Sequence, residues 1–185
     1  MANPQVYGRI ANPYMPNGTA AASNFPTLYA PGELGCAFVD PNSGRTYLRV
    51  QCDSGATAST PVGAVAAGQV AFWKDQSAGI VTNDKRFCDV GASGAVNRPA
   101  GIFGLAVTAG YYTDLVIRGQ AVTVAANTAT VGCAAIVDTT ASTARVIAAA
   151  SVTTAPLSVP VGIFSSSTIT NSTAPVDVAL GFVGS

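Results

Sequence analysis

Five residues of this chain come back in nearly the same order. Pro99-Ala100-Gly101-Ile102-Phe103 returns as Pro160-Val161-Gly162-Ile163-Phe164. Each copy is followed by a polar-aliphatic stretch, then by an Asp and an apolar run, Asp114-Leu115-Val116-Ile117 and Asp177-Val178-Ala179-Leu180. The offset is 61 residues at the start and 63 at the Asp (99 to 160, 114 to 177), so the second copy reads as two residues longer. A repeat of this kind predicts paired β-elements of one small barrel or sandwich. Its two copies read as two strand starts, with Ile and Phe as core anchors in each.

The rest of the chain agrees with a β-fold. From Glu33 onward Val, Thr, Ile and Tyr are enriched, and Gly, Pro, Asn and Asp punctuate at short intervals. Strands are expected over residues 34–39 and 46–51, joined by the turn Asp40-Pro41-Asn42-Ser43-Gly44. Further strands are expected at 70–73, 80–82, 101–108, 113–117, 121–125, 133–137, 145–149, 163–169 and 176–183. Arg118-Gly119 reads as a turn between two of them. Alternation is clear at Val122-Thr123-Val124 and weak elsewhere. No helix is expected, because the Ala-rich pieces are short and flanked by Gly or β-branched residues. A shorter echo links Gly35-Cys36-Ala37-Phe38-Val39-Asp40 with Gly132-Cys133-Ala134-Ala135-Ile136-Val137-Asp138, and a third Pro-x-Gly occurs at Pro61-Val62-Gly63. The expected fold class is all-β: a compact β-barrel or sandwich of short antiparallel strands.

Residues 1–32 read as an extended N-terminal arm, and residues 33–185 as the β-barrel domain. Prolines at 4, 13, 16, 26 and 31 break any helical or strand periodicity. Tyr7, Ile10, Tyr14, Phe25, Leu28 and Tyr29 are spaced along this stretch. Aromatic and aliphatic side chains on an extended segment suit an arm laid on another subunit, so these six are the candidate interface residues. The competing reading is an arm folded back on its own domain.

Reactive chemistry is sparse. The 185 residues include no histidine, which removes the commonest general base and the commonest neutral metal ligand. Ser-His and Cys-His nucleophile pairs are therefore excluded within the chain. Cys36, Cys52, Cys88 and Cys133 form no Cys-x-x-Cys and are expected as small buried thiols in a reducing cytosol. The N-terminus has neither the basic nor the apolar region of a signal peptide, and no run approaches the ~18 apolar residues of a membrane span. Charged residues are 10% of the chain, against about 25% in ordinary domains, and the formal net charge is +0. Such a chain offers no electrostatic footprint for nucleic acid or an anionic membrane. A charge-poor surface favours association, so coverage by neighbouring subunits is expected.

The nearest approach to an active site is Cys52-Asp53-Ser54-Gly55-Ala56. Asp-Ser-Gly-Ala is the kind of loop on which aspartic proteases hold a carboxylate, and a homodimer would supply the second. The apolar-apolar-Gly element that braces such a loop is imperfect here, since Val116-Ile117-Arg118-Gly119 interposes an arginine and Gln51 interrupts the preceding run. A polar β-turn is the simpler reading. Cys88 with Ser93 lacks a base, Lys74-Asp75 and Asp84-Lys85-Arg86 read as solvated loop tips, and Asp40, Asp114 and Asp138 read as strand ends or turn starts. Phe72 and Trp73 read as core or interface anchors. No catalytic residue, metal ligand or cofactor is assigned.

From about Ala100 to Val183 the chain resembles the small β-barrel decoration, or cement, proteins of tailed-bacteriophage capsids. The residues that carry this are 100–107 (Ala-Gly-Ile-Phe-Gly-Leu-Ala-Val), 112–119 (Tyr-Thr-Asp-Leu-Val-Ile-Arg-Gly), 132–138, and the ending Val161-Gly162-Ile163-Phe164 through 178–183. The long Pro-rich arm and the region 52–98 depart from that family. The resemblance implies a virion structural protein on the capsid exterior, made in the host cytoplasm. Its partners would be the major capsid protein and further copies of itself, often as a homotrimer at three-fold positions. The runner-up is another phage β-component, such as a tail-tube or fibre-associated subunit.

Overall fold

The computed structural model describes residues 34–35, 37–53, 65–83, 99–107, 110–138, 145–149, 160–166 and 170–180. Among them are ten strands and no helix. They are β1 (Ala37–Val39), β2 (Thr46–Cys52), β3 (Val70–Asp75), β4 (Ile80–Thr82), β5 (Pro99–Phe103), β6 (Tyr112–Thr128), β7 (Ala134–Val137), β8 (Val146–Ala148), β9 (Gly162–Phe164) and β10 (Thr170–Ala179). The arm 1–32, Cys36, Cys88, the 54–64 and 84–98 segments and residues 181–185 lie outside the described residues.

Local chemistry sets the tight turns. Asp40 caps the β1–β2 turn: its carboxylate accepts from Asn42 N at 3.0 Å and from Ser43 Oγ at 2.6 Å, and Gly44 takes φ +67°. Asp75 does the same between β3 and β4, accepting from Ser77 Oγ at 2.7 Å and Ala78 N at 3.0 Å ahead of Gly79 at φ +68°. These hydrogen bonds to the ionised form hold both carboxyls below their ordinary pKa. A side chain that satisfies the backbone of a turn in this way competes well with helix and ladder alike.

The strands form a closed five-stranded barrel carrying further strands. Pairings run β2–β4–β3–β5–β6 and return from β6 to β2, with β2 and β4 parallel and the other neighbours antiparallel. The further strands make a second circuit, β6–β10–β9–β7–β8, which returns to β6 through the parallel bridge Ala126↔Val146. The second circuit repeats the first in chain order and in strand direction. The C-terminal half of β6 stands where β2 stood, and β7, β8, β9 and β10 follow as β3, β4, β5 and the N-terminal half of β6. The 17-residue β6 is thus the last strand of one ring and the first of the next.

The registers agree strand by strand. Ala71↔Gly101 in the first ring matches Ala135↔Gly162 in the second, and Cys52↔Val81 matches Ala126↔Val146. Gly68 N donates to Phe103 O at 2.7 Å, as Gly132 N does to Phe164 O at 2.9 Å; both glycines have positive φ, +82° and +76°. Phe103 N donates to Gln69 O and Phe164 N to Cys133 O, each at 3.0 Å. The counterpart of Gly132 is therefore Gly68, and not Gly35 as the sequence echo suggested. The offset of the main repeat is also corrected. Ile102↔Val116 and Ile163↔Asp177 are equivalent pairs, each partner 61 residues on (102 to 163, 116 to 177). Asp177 thus stands at the place of Val116, Asp114 corresponds to Pro175, and no residues are gained between them.

Two cores lie on opposite faces of one wall. Leu48, Val50, Cys52, Ala71, Val81, Phe103, Leu115 and Ile117 fill the first ring. Val122, Val124, Ala126, Ala135, Val137, Phe164, Val176 and Val178 fill the second, and Val70, Phe72, Ile102 and Val116 join them from the far side of β3, β5 and β6. That wall is buried on both faces, which is why 70–72, 100–103 and 113–117 read as unbroken buried runs instead of alternating. Only past Ala121, where β6 has one open face, does alternation return. Arg118-Gly119 is not a turn: β6 continues through it, and the slack is taken by a bulge opposite Val176 and Val178. Ala121 adopts φ +46° there, and its N–H donates to Asp177 Oδ1 at 2.8 Å.

Candidate functional site

Asp53 follows the end of β2, where its backbone N–H donates to Val81 O at 2.7 Å. Its buried carboxylate accepts from Lys74 Nζ at 2.7 Å, a part-buried ion pair that closes the seam of the first ring. Lys74 is therefore not a solvated loop tip, although Asp75 beside it is exposed. The second ring carries a bond at the same place. Asn127 stands where Asp53 stood and donates through Nδ2 to Asp138 Oδ2 at 3.0 Å, Asp138 standing where Lys74 stood. Arg145 Nε reaches the same oxygen at 3.1 Å. A link that recurs with different side chains in both rings has a structural explanation, and this is the chemistry in which the Asp-Ser-Gly loop residue Asp53 is engaged. Ser54, Gly55 and Ala56 lie outside the described residues.

Asp138 directly follows the end of β7, as expected of a strand end, whereas Asp114 lies within β6 and neither ends a strand nor starts a turn. Asp114 sits in β6 opposite Arg49 of β2, paired through Arg49 Nη2 at 2.7 Å, with both side chains nearly buried. Cys52 is fully buried in the first core; burial, helped by the adjacent Asp53 charge, pushes its thiol up to about 11. Cys133 is free and only half-buried, so the expectation of buried thiols holds for Cys52 and fails for Cys133. Phe72 is fully buried, and Trp73 packs partly buried against the first core. Among the described residues no group of three or more His, Cys, Asp or Glu is placed to hold a metal ion.

The six candidate arm residues, Tyr7, Ile10, Tyr14, Phe25, Leu28 and Tyr29, lie outside the described residues. What sequence reasoning missed is on the barrel itself. Val39, Leu105, Val131 and Ile163 are each about half exposed. Ile163 was expected as a core anchor; Ile102, Phe103 and Phe164 are buried, but Ile163 is 53% exposed because, among the described residues, no strand covers the outer side of β9 as the second ring covers β5. Its neighbour across the ladder, Asp177 in place of Val116, was the available signal.

Fold and site together define a class: an all-β scaffold of two fused rings, with small side chains on its strands and three charged pairs set in its walls. No protein-family model matches the sequence, and no curated protein matches it.

Proposed function

We propose that this protein is a virion structural protein that binds the outer surface of a phage capsid and stabilises the lattice by bridging capsid subunits. The observation that carries the proposal is the distribution of side chains on the barrel. Three of the scarce charged pairs, Arg49–Asp114, Lys74–Asp53 and Arg145–Asp138, are internal links, whereas Val39, Leu105, Val131 and Ile163 stand out on the surface. A surface low in free charge with separate aliphatic contacts suits permanent burial among neighbours more than a solitary life in water. The residues that resemble the decoration proteins also fall on ring strands: 100–107 cover β5 from Ala100 to its end, 112–119 the first half of β6, and 132–138 span β7. Aromatic residues of the arm, from Tyr7 to Tyr29, would extend the contact across a capsomer boundary.

The purified protein is expected to bind expanded capsids and raise their resistance to heat. Deleting residues 1–30 is expected to weaken that binding while the barrel stays folded. Absence of capsid binding, assembly into tubes, or a pepstatin-sensitive peptidase activity abolished by Asp53→Ala would each overturn the proposal.

A further inference from the structure

The two rings differ at equivalent outward positions. The first carries Val70, Ile102, Val116, Asp114 and Arg49; the second carries Ala134, Ile163, Asp177, Pro175 and Thr123. Every member of the first set is shielded: Val70 and Ile102 have no exposure, Val116 has 2%, and Asp114 and Arg49 form a nearly buried pair. In the second set Ile163, Asp177 and Thr123 are exposed, and Ala134 and Pro175 are half-buried. Among the described residues this face is covered in the first ring and exposed in the second.

We infer that the open face, made by the C-terminal half of β6 with β10, β9 and β7, is a self-association surface whose occupant is the same face of a second copy, related by a two-fold axis. The argument for that occupant is self-complementarity. Arg118 is exposed and pairs with Ala179, two residues along β10 from exposed Asp177. One face thus offers a cation and an anion side by side, and a two-fold arrangement sets each Arg118 against the other copy's Asp177. Ile163 beside them supplies the apolar anchor that a central contact needs. With a formal net charge of +0, two copies meet without long-range repulsion. Ten residues of β10, three of β9, four of β7 and the C-terminal half of β6, at about 3.4 Å per residue and about 4.8 Å spacing, give roughly 400 Å² on each copy, about half the ~800 Å² per partner of a stable interface, which suits a weak, concentration-dependent pair. The inference rests on the rings and not on the capsid reading, and it gives a two-fold pair where the family resemblance implies a trimer.

Sedimentation equilibrium on the full chain, from about 1 to about 200 μM, tests it. The wild type is expected to show a monomer–dimer equilibrium. Ile163→Arg and Arg118→Glu are each expected to weaken it at least about tenfold, and Arg118→Glu with Asp177→Arg to recover it. Thr123→Arg, at an exposed position on the same face, gives a second disruption should Ile163→Arg fail to fold; far-ultraviolet circular dichroism checks this. A wild type that stays monomeric, a trimer, or a dimer indifferent to both arginine substitutions overturns the inference. A monomeric wild type whose capsid binding is lost in Ile163→Arg overturns it as well, and assigns the face to the capsid.

Discussion

Replacing Gly162 by alanine should open the β9–β10 ladder. A Cβ built there lies 2.9 Å from the Asp177 carbonyl carbon and 2.9 Å from Val176 Cγ1, and closer still to the Asp177 carbonyl oxygen. The obstacle is the backbone of the paired strand, which no rotamer change relieves. Overpacking of this kind costs about 1–3 kcal/mol, and a displaced ladder hydrogen bond adds about 1 kcal/mol. Alanine returns about 0.4–1 kcal/mol by restricting the unfolded chain, so the net loss lies at about 1–4 kcal/mol, with about 3 kcal/mol expected because the obstacle is fixed backbone. Gly101 stands at the equivalent place, where a Cβ meets Leu115 Cβ at 2.6 Å and Val116 O at 3.2 Å. There the nearest atom is itself a Cβ, fixed by its own backbone, but the nearest ladder carbonyl is farther away than at Gly162, and Gly101→Ala is expected to cost about 2 kcal/mol. Gly104, with only Val116 Cγ2 at 4.0 Å, is the control and should change by less than about 0.5 kcal/mol. Urea unfolding gives the differences directly, and for a chain of this size 3 kcal/mol corresponds to a fall of about 6–12 °C in Tm. Gly162→Ala within 0.5 kcal/mol of wild type, on this same rough scale, or no milder an effect at Gly104, would refute the register on which the repeat is built.

Three further outcomes follow from single side chains. Below about pH 9 the Cys52 thiol is protonated in both folded and unfolded chains; between about 9 and 11 only the unfolded chain ionises, so stability falls with rising pH, by about 2 kcal/mol at pH 11. Cys52→Ala, which copies Ala126 of the second ring, should remove that part of the slope in urea midpoints measured from about pH 8 to about pH 11. Asp114→Ala removes the carboxylate facing nearly buried Arg49 across the β2–β6 ladder and should cost about 3–5 kcal/mol by the same measurement, more than any substitution of exposed Asp75. Thr113 is fully buried opposite Val50 and its hydroxyl has no hydrogen-bond partner among the described residues, so Thr113→Val should be neutral or stabilising by up to about 1 kcal/mol, as its counterpart Ala174 suggests.

Much of the β-architecture is legible because turns and strands here obey local chemistry. Asp40 and Gly44 mark their turn, and β2, β7, β8 and the β5–β6 pair lie close to where composition and punctuation put them. Two features needed the third dimension. The wall of β3, β5 and the start of β6 is buried on both sides, so its sequence loses the alternation by which a half-exposed strand is recognised. The doubled ring is hidden because β6 belongs to both rings and bends through a bulge at residues that resemble a turn, Arg118-Gly119. Asp114 and Asp177, both followed by apolar residues, invited an alignment that the ladder rejects. At the site, Asp53 was legible as a polar turn-like residue, whereas its bond to Lys74 and the matching Asn127–Asp138 bond join residues far apart in the chain. The open face around Ile163 was concealed by the identity of its phrase with that of buried Ile102.

The claim that two five-stranded rings share β6 in one constant register is tested most directly by interstrand nuclear Overhauser contacts in the isotope-labelled full chain. Backbone contacts are expected between Ile102 and Val116, between Ile163 and Asp177, and across both parallel seams, Cys52 with Val81 and Ala126 with Val146. Contacts from Ile163 to Ala179 in place of Asp177, or a second seam without the Ala126–Val146 contact, would contradict it.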